Sequence, residues 1–338
     1  MPAEIAPPPA KAPDHNRTGI DFHAPMPRPK VRGAVIDFHC HLLAARHAPV
    51  WFEAADHYGI DCFLSMTPLE EAMKIQREHG DRVQFIAVAS WQQKPELTLE
   101  QWLEDYFRRV EMFYNLGSRM VKFHMAPGSI HRRGIKLDDP RFEPFFEFIE
   151  QHQMGVMTHI GDPDTWYNGK YADGAVWGTR DEHFAMWRRM LDRHPSIPWV
   201  GAHMGGNPEN LPRLQEMLDR YPQLSLDCSA TRWQARELSK RRDEAREFFI
   251  RNSDRIMWGS DQVSTDERGY DFLASRWWVH RKLIETAYIG RSPIFDPDLP
   301  EDAQPRLEGM ALPDEVLQKL YHDNAARFLA RLGVSFDR

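Results

Sequence analysis

A chain of 338 residues is long enough for two average domains, but α/β barrels of this length also form one unit, so length leaves both organisations open. With 42% hydrophobic and 28% charged residues the composition is that of an ordinary globular protein and argues against a disordered, fibrous or membrane-spanning chain. A formal net charge of -7 argues against the clustered positive field that nucleic-acid binding needs.

The first residues, MPAEIAPPPAKAP, lack the apolar core of a secretory leader, and no later run reaches the roughly 18 apolar residues of a membrane helix. Cys40, Cys62 and Cys228 cannot all pair within the chain, which points to a reducing, cytoplasmic setting. Residues 1–30 are Pro-rich, and the expectation is a tail in solvent or an arm laid along a neighbouring subunit. From residue 31 onward, short apolar and β-branched runs alternate with helix-like spacers, the trace of repeated βα units. The runs cover 31–39, 61–67, 83–90, 119–125, 155–160, 198–204, 224–229 and 256–261. Eight is the number a closed barrel requires, whereas an open doubly wound sheet commonly has fewer strands and a GxGxxG loop, and none follows the first run. The expected fold is therefore a single-domain (β/α)8 TIM barrel over residues 31–338, with an extra helical segment after strand 8.

The spacers agree. Residues 99–116 (LEQWLEDYFRRVEMFYNL) and 184–193 place apolar residues three and four apart, as covering helices do. Residues 162–182 (DPDTWYNGKYADGAVWGTRDE) mix Gly and Asp with Trp166, Tyr167, Tyr171 and Trp177, and a loop this long reads as a substrate lid. After the eighth run, 270–290 is helical in pattern and 291–313 is Pro-rich and irregular; the helix either covers the site or packs on the barrel or on a second subunit.

Four strand ends carry chemistry. The first run closes with VIDFHCH, and because successive strand side chains point to opposite faces, His39 and His41 emerge on one side about 6.6 Å apart along the strand. THIG places His159, GAHMGG places His203 and GSDQ places Asp261 at the ends of later runs. In a barrel those ends converge on the face where catalytic groups sit. A lone histidine is more often a satisfied core or surface residue; recurrence at several strand ends is the signal. MVKFHM adds Lys122 and His124 on one face of the fourth strand. His131, Arg132, Arg133 and Lys136 follow, as a positive anchor for a substrate carboxylate or as a solvated turn. Trp166 and Trp177 can stack on a planar substrate or simply pack the loop down.

With these motifs in view, the chain resembles the amidohydrolase superfamily, and within it the amidohydrolase-2 group that includes aminocarboxymuconate-semialdehyde decarboxylase and related aromatic-acid decarboxylases. The resemblance runs over roughly residues 33–332, including LDDPRFEPFFEFIEQHQMGVMTHIG and the closing HDNAARFLARL; the tail and the segment after the eighth strand fall outside it. It implies that the first-strand HxH, His39 and His41, the fifth-strand His159 and the eighth-strand Asp261 hold one divalent ion, and that the sixth-strand His203 is an acid/base. Zinc is the default for such a set, with Mn, Fe or Co also accommodated. After Asp261 the sequence GSDQVSTDERGYDF departs from the Pro-aromatic continuation of the decarboxylases, which weakens transfer of their substrate. Lys122 stands where binuclear members carry a carboxylated Lys bridging two ions, although in this group a fourth-strand Lys is common without being a ligand. His124 supports a ligand, meets substrate or packs the core.

Three imidazoles and a carboxylate leave a coordination position open. An ion so held lowers the pKa of a bound water from about 15.7 to about 7. Asp261 can accept the proton, and His203 can donate to a leaving group or polarise a substrate oxygen. These groups fit a hydrolase of a small carboxylated or aromatic ester, lactone or amide, with non-oxidative decarboxylation of an aromatic or muconate-like acid as the alternative. An inactive metal-binding scaffold is a third reading, against which the intact set of five positions stands. The expected partner is a small-molecule substrate, with no nucleic acid or membrane, in a homo-oligomer, most simply a dimer.

Overall fold

A computed structural model describes residues 13–90 and 97–336. Eight parallel strands lie where the apolar runs are: β1 (Ile36–His41), β2 (Cys62–Ser65), β3 (Val83–Phe85), β4 (Met120–His124), β5 (Gly155–His159), β6 (Trp199–Gly201), β7 (Leu224–Asp227) and β8 (Ile256–Met257). β1 pairs with β2 and β2 with β3, while β4 to β8 pair in sequence order. An isolated parallel bridge between Ala87 and Val121 joins β3 to β4. On the other side Phe38 N donates to Trp258 O at 3.0 Å and Asp261 N to His39 O at 2.7 Å, which ties β8 back to β1. The sheet is thus a closed TIM barrel, whose strand C-terminal ends share one rim. A two-residue strand, β9 (Gln262–Val263), pairs with the end of β1 at Cys40 and His41 and continues that closure.

The covering helices start where side chains can satisfy their first amides. Thr98 accepts from Gln101 N while Gln101 reaches back to Thr98, and the helix Leu99–Asn115 then buries Trp102, Tyr106, Val110 and Phe113 on one stripe. The same box between Thr179 and Glu182 starts the helix Arg180–Arg193, four residues before the apolar period alone suggested. Residues 162–179 accordingly form a shorter loop than expected, with single helical turns at Asp164–Tyr167 and Gly174–Trp177.

The helix expected after strand 8 runs from Tyr270 to Glu285 and belongs to the barrel's outer layer. Trp277 meets Trp51 of the helix Ala48–Tyr58 edge-on at 5.6 Å, and Arg281 donates to Tyr58 O at 3.0 Å. The Pro-rich stretch that follows is not wholly irregular: β10 (Ile289–Arg291) and β11 (Arg306–Glu308) form an antiparallel pair.

Residues 1–12 of the Pro-rich segment lie outside the described residues, but 13–30 are laid along the chain's own barrel. Phe22 is buried, its carbonyl accepts from Tyr58 Oη at 3.2 Å, and Pro27 O accepts from Arg281 at 2.6 Å. Apart from local turns such as Asn16 N to Pro13 O and Ala24 N to Asp21 O, this Pro-rich backbone leaves its carbonyls available to donors on the helices beneath. No helix among the described residues is long and apolar enough to cross a membrane.

Candidate active site

β1 is not a plain strand. Its register slips between Asp37 and Cys40, a bulge of the kind that re-aims side chains beside active sites. Asp37 turns to accept from Ser260 N at 2.9 Å and Ser260 Oγ at 2.5 Å, which pins the end of β8 against β1. Burial holds the Asp37 carboxyl up at about 6 despite these donors. Beyond the bulge His39 and His41 stand with ring centroids 5.7 Å apart, both directed at Asp261. Asp261 Oδ1 lies 3.1 Å from His41 Nε2 and 3.3 Å from His39 Nε2.

Asp227, at the end of β7, is the residue that fixes His39. Its Oδ2 is 2.9 Å from His39 Nδ1. Burial alone would raise the Asp227 pKa, but His39, His203 and Lys122 outweigh it and hold the carboxyl below the ordinary range. An ionised carboxylate only accepts, so His39 Nδ1 is the donor, and when the ring is neutral its lone pair is on Nε2, facing Asp261. Two such atoms 3.3 Å apart attract positive charge between them, met by a proton on Nε2 or by a cation bound beside both. The ligand atoms of His39, His41 and Asp261 all lie within 4.8 Å of one another, so nitrogen and oxygen donors of the right kind are gathered for a divalent ion. The electrostatics favour positive charge at the same point. Burial and Lys122 lower the His39 pKa, yet Asp227 and Asp261 raise it overall, and Asp261, despite burial, is held far below its usual value by His203, His39 and His41.

His203 adjoins this set. Its ring centroid is 4.7 Å from those of His39 and His159. Its Nδ1 is 2.8 Å from Ser229 Oγ, and that hydroxyl donates its proton to Asp227 Oδ1 in a short hydrogen bond. Ser229 has one proton, so His203 Nδ1–H is the donor to it and Nε2 carries the lone pair. Burial pushes the His203 pKa far down and keeps the ring neutral. His203 (φ 55°) and Asp261 (φ 55°) both occupy the left-handed region that non-glycine residues avoid. Such strain persists where surrounding structure holds a residue for a purpose.

His159 lines the same cavity, but its Nε2 is turned to Asp162 Oδ1 at 3.0 Å, outside the close set. His124 sits across the β4–β5 ladder from His159, its ring 4.4 Å away and its Nδ1 on Ser129 Oγ at 2.8 Å. Lys122 is buried in the cavity wall, and burial, partly offset by Asp227 and Asp261, brings its ammonium down to about 8. The cavity, of about 550 Å³, also takes in Arg132, Arg133, Trp102 and Tyr106. Arg132 and Arg133 belong to the helix Pro127–Arg133 and not to an open loop; Lys136 is exposed and His131 lies on Trp177, with centroids 4.4 Å apart. A second cavity, of about 480 Å³, shares His159, His203 and Asp261 with the first, and Trp166 lines it. Trp177 lines neither of the two and packs between His131 and Tyr171.

The family model for amidohydrolases of the amidohydrolase-2 group matches residues 36–331, from the start of β1 to the last helix. The chain belongs to this amidohydrolase family. Among curated proteins no relative matches it. Solved structures share the amidohydrolase's fold at low identity. An uncharacterized TIM-barrel protein from Bordetella bronchiseptica is 16% identical at a TM-score of 0.55, over 89% of this chain and 100% of that one. A candidate 2-pyrone-4,6-dicarboxylic acid hydrolase from Pseudomonas putida is 13% identical at 0.54, over 91% and 100%. A 5-carboxyvanillate decarboxylase from Novosphingobium aromaticivorans, complexed with manganese and 4-hydroxy-3-methoxy-5-nitrobenzoic acid, is 14% identical at 0.51, over 91% and 99%.

Four polar residues of the amidohydrolase site escaped the reading of its sequence: Asp37, Asp162, Asp227 and Ser229. Asp227 and Ser229 stand at the end of a strand in LSLDCSA, and position at a barrel strand's end was the available signal. Asp227→Asn is expected to weaken metal binding by about 10- to 100-fold, the usual cost of losing the carboxylate that orients a metal-binding imidazole. Competition with a chromophoric chelator measures it, and unchanged affinity would remove Asp227 from this role.

Proposed function

We propose that this amidohydrolase is a metal-dependent hydrolase of a small carboxylated or aromatic ester, lactone or amide. The observation that carries the reading is the convergence of the His39, His41 and Asp261 donor atoms in one cavity at the strand ends. These three are the residues that would hold a divalent ion, joined by His159 from β5 if its ring turns from Asp162 toward them. Zinc suits three imidazoles and a carboxylate, and manganese, iron and cobalt are also accommodated. Bound there, the ion supplies a Lewis acid that acidifies water and polarises a substrate oxygen.

The protein's own groups handle protons and position. Asp261, held ionised, would accept the proton of the attacking water and hand it to the Nε2 lone pair of neutral His203, which would then deliver it to the departing oxygen or nitrogen. Ser229 and Asp227 keep His203 in the tautomer and orientation this requires. Met66, Val88, Ile135 and Trp102 form apolar walls that limit water, which strengthens every charge interaction within. Arg132 and Arg133 give a substrate carboxylate a planar donor pair.

Decarboxylation is the second reading, favoured by those same arginines on apolar walls, which would hold a carboxylated ring in a poorly solvated place. A panel of carboxylated lactones and hydroxybenzoates separates the two. Hydrolysis predicts acid release in a pH-stat without CO2, and CO2 release from a hydroxybenzoate would replace it with the second reading.

Trp166 and Trp177, similar in sequence, are expected to behave differently. Trp166→Ala should lower kcat/KM by about 10-fold or more with bound metal unchanged, the cost of one apolar pocket contact. Trp177→Ala should leave the kinetics unchanged. Equal effects in steady-state assays of the two variants would contradict the placement of Trp166 alone beside the substrate.

A further inference from the structure

The second cavity holds a feature that neither metal binding nor hydrolysis uses. Four arginines line it, and Arg236 is buried in ion pairs with Glu237 and Asp296; the other three are Arg232 at the start of the helix Thr231–Ser239, Arg268 in the turn after β9, and Arg276 in the helix Tyr270–Glu285. The hydrogen bonds of Arg268 and Arg276 go to neutral groups. Arg268 donates to Val263 O at 2.8 Å and Arg276 to Ser275 Oγ at 2.8 Å. Both guanidinium groups also lie over the ring of Phe272, at 4.5 Å and 3.5 Å from its centroid, so one aromatic side chain holds two like charges side by side.

The acids nearby are engaged elsewhere. Asp296 and Asp298 face Arg236 at 2.6 and 3.4 Å, Asp162 faces His159, and Asp14 faces Arg17 at 3.4 Å. Glu267, next to Arg268 in sequence, accepts from Thr265 Oγ1 at 2.8 Å. Burial and the charges of Arg232 and Arg268 push the Arg276 pKa far below its ordinary value, while Glu267 and Asp261 act on Arg268 and leave Arg276 without a carboxylate of its own. Arg276 and Arg268 are partly buried and Arg232 is exposed at the cavity edge, and a planar anion among them is favoured because the guanidinium fork matches a carboxylate in two parallel hydrogen bonds. Since the cavity also contains His159, His203 and Asp261, an anion held by the arginines leaves the rest of its molecule within reach of the candidate metal centre.

We propose that Arg232, Arg268 and Arg276 form a carboxylate-binding subsite that anchors the end of the substrate remote from the reacting group, so that the enzyme selects molecules with an acid group at each end. This rests on the reading of the first cavity as the reaction site. The subsite itself binds whether or not metal is present, and that independence sets the test. Full-length protein, metal-depleted and metal-loaded, is titrated calorimetrically with isophthalate and, separately, with inorganic phosphate. Wild type binds isophthalate in both forms and prefers it to phosphate; R268Q and R276Q each weaken it by about tenfold or more, the worth of one charged hydrogen-bond pair. R268K, which keeps the charge and loses the fork, falls between. Circular dichroism reports the folding of each variant, and the partly exposed Arg268 carries the test if R276Q does not fold. No isophthalate binding by wild type, preference for phosphate, or wild-type affinity in R268Q overturns the subsite. Absence of metal from wild type with arginine-dependent isophthalate binding overturns the metal reading and leaves the subsite in place.

Discussion

His39→Ala is expected to lose bound metal and turnover together. His39 is the one residue common to both close sets of ligand-type atoms at the strand ends, with His41 and Asp261 on one side and His203 and Asp227 on the other. Its Nδ1 is committed to Asp227 and its Nε2 to the point shared with Asp261. Removing the ring deletes a donor atom and leaves Asp227 buried without the partner that chiefly stabilises its charge. Losing a residue that merely orients a ligand costs about 10- to 100-fold in metal affinity, so deletion of the ligand itself should exceed about 100-fold. Metal content after dialysis, read by plasma mass spectrometry beside the rate, checks this. A variant that retains a full equivalent of metal would move the centre away from β1.

The second large effect separates proton handling from metal binding. His203→Asn is expected to keep the ion and lose about 10² to 10⁴ in kcat, the range for removal of a positioned general acid or base. Asparagine is chosen because residue 203 has φ 55°, a conformation that asparagine adopts more readily than alanine. Its amide restores neither the lone pair at Nε2 nor the ability to take and return a proton. Matched loss of metal in His203→Asn and His39→Ala would make His203 a ligand, in the set it forms with His39 and Asp227, and would assign proton transfer to Asp261 alone.

Residues that lie close in sequence, or whose spacing follows one period, declared themselves without the fold. Eight apolar runs at βα spacing specify a barrel because a strand buried on both faces needs a continuous apolar run and each helix needs a 3.6-residue stripe. HxH at the end of the first run puts two imidazoles on one side, and histidines and an aspartate at later run ends must meet once the barrel closes. The capping pairs Thr98–Gln101 and Thr179–Glu182 are equally local but went unread, because the helix starts expected from the sequence rest on the apolar period alone.

What only the tertiary structure decided involves partners distant in the chain or a broken local period. Asp227 meets His39 across 188 positions, and no local rule ties a β7 carboxylate to a β1 imidazole. The bulge in β1 breaks the two-residue alternation, so Asp37 turns to Ser260 where strict alternation would group it with the two histidines. Trp166 and Trp177 look alike in a Gly-rich loop, and only the path of that loop sends one to a cavity and the other onto His131. Arg232, Arg268 and Arg276 come from two separate segments, and each alone reads as an ordinary surface cation. Their meaning arises when packing brings like charges around one cavity and assigns the neighbouring acids to other partners, because electrostatic free energy depends on distance in space and not on separation along the chain.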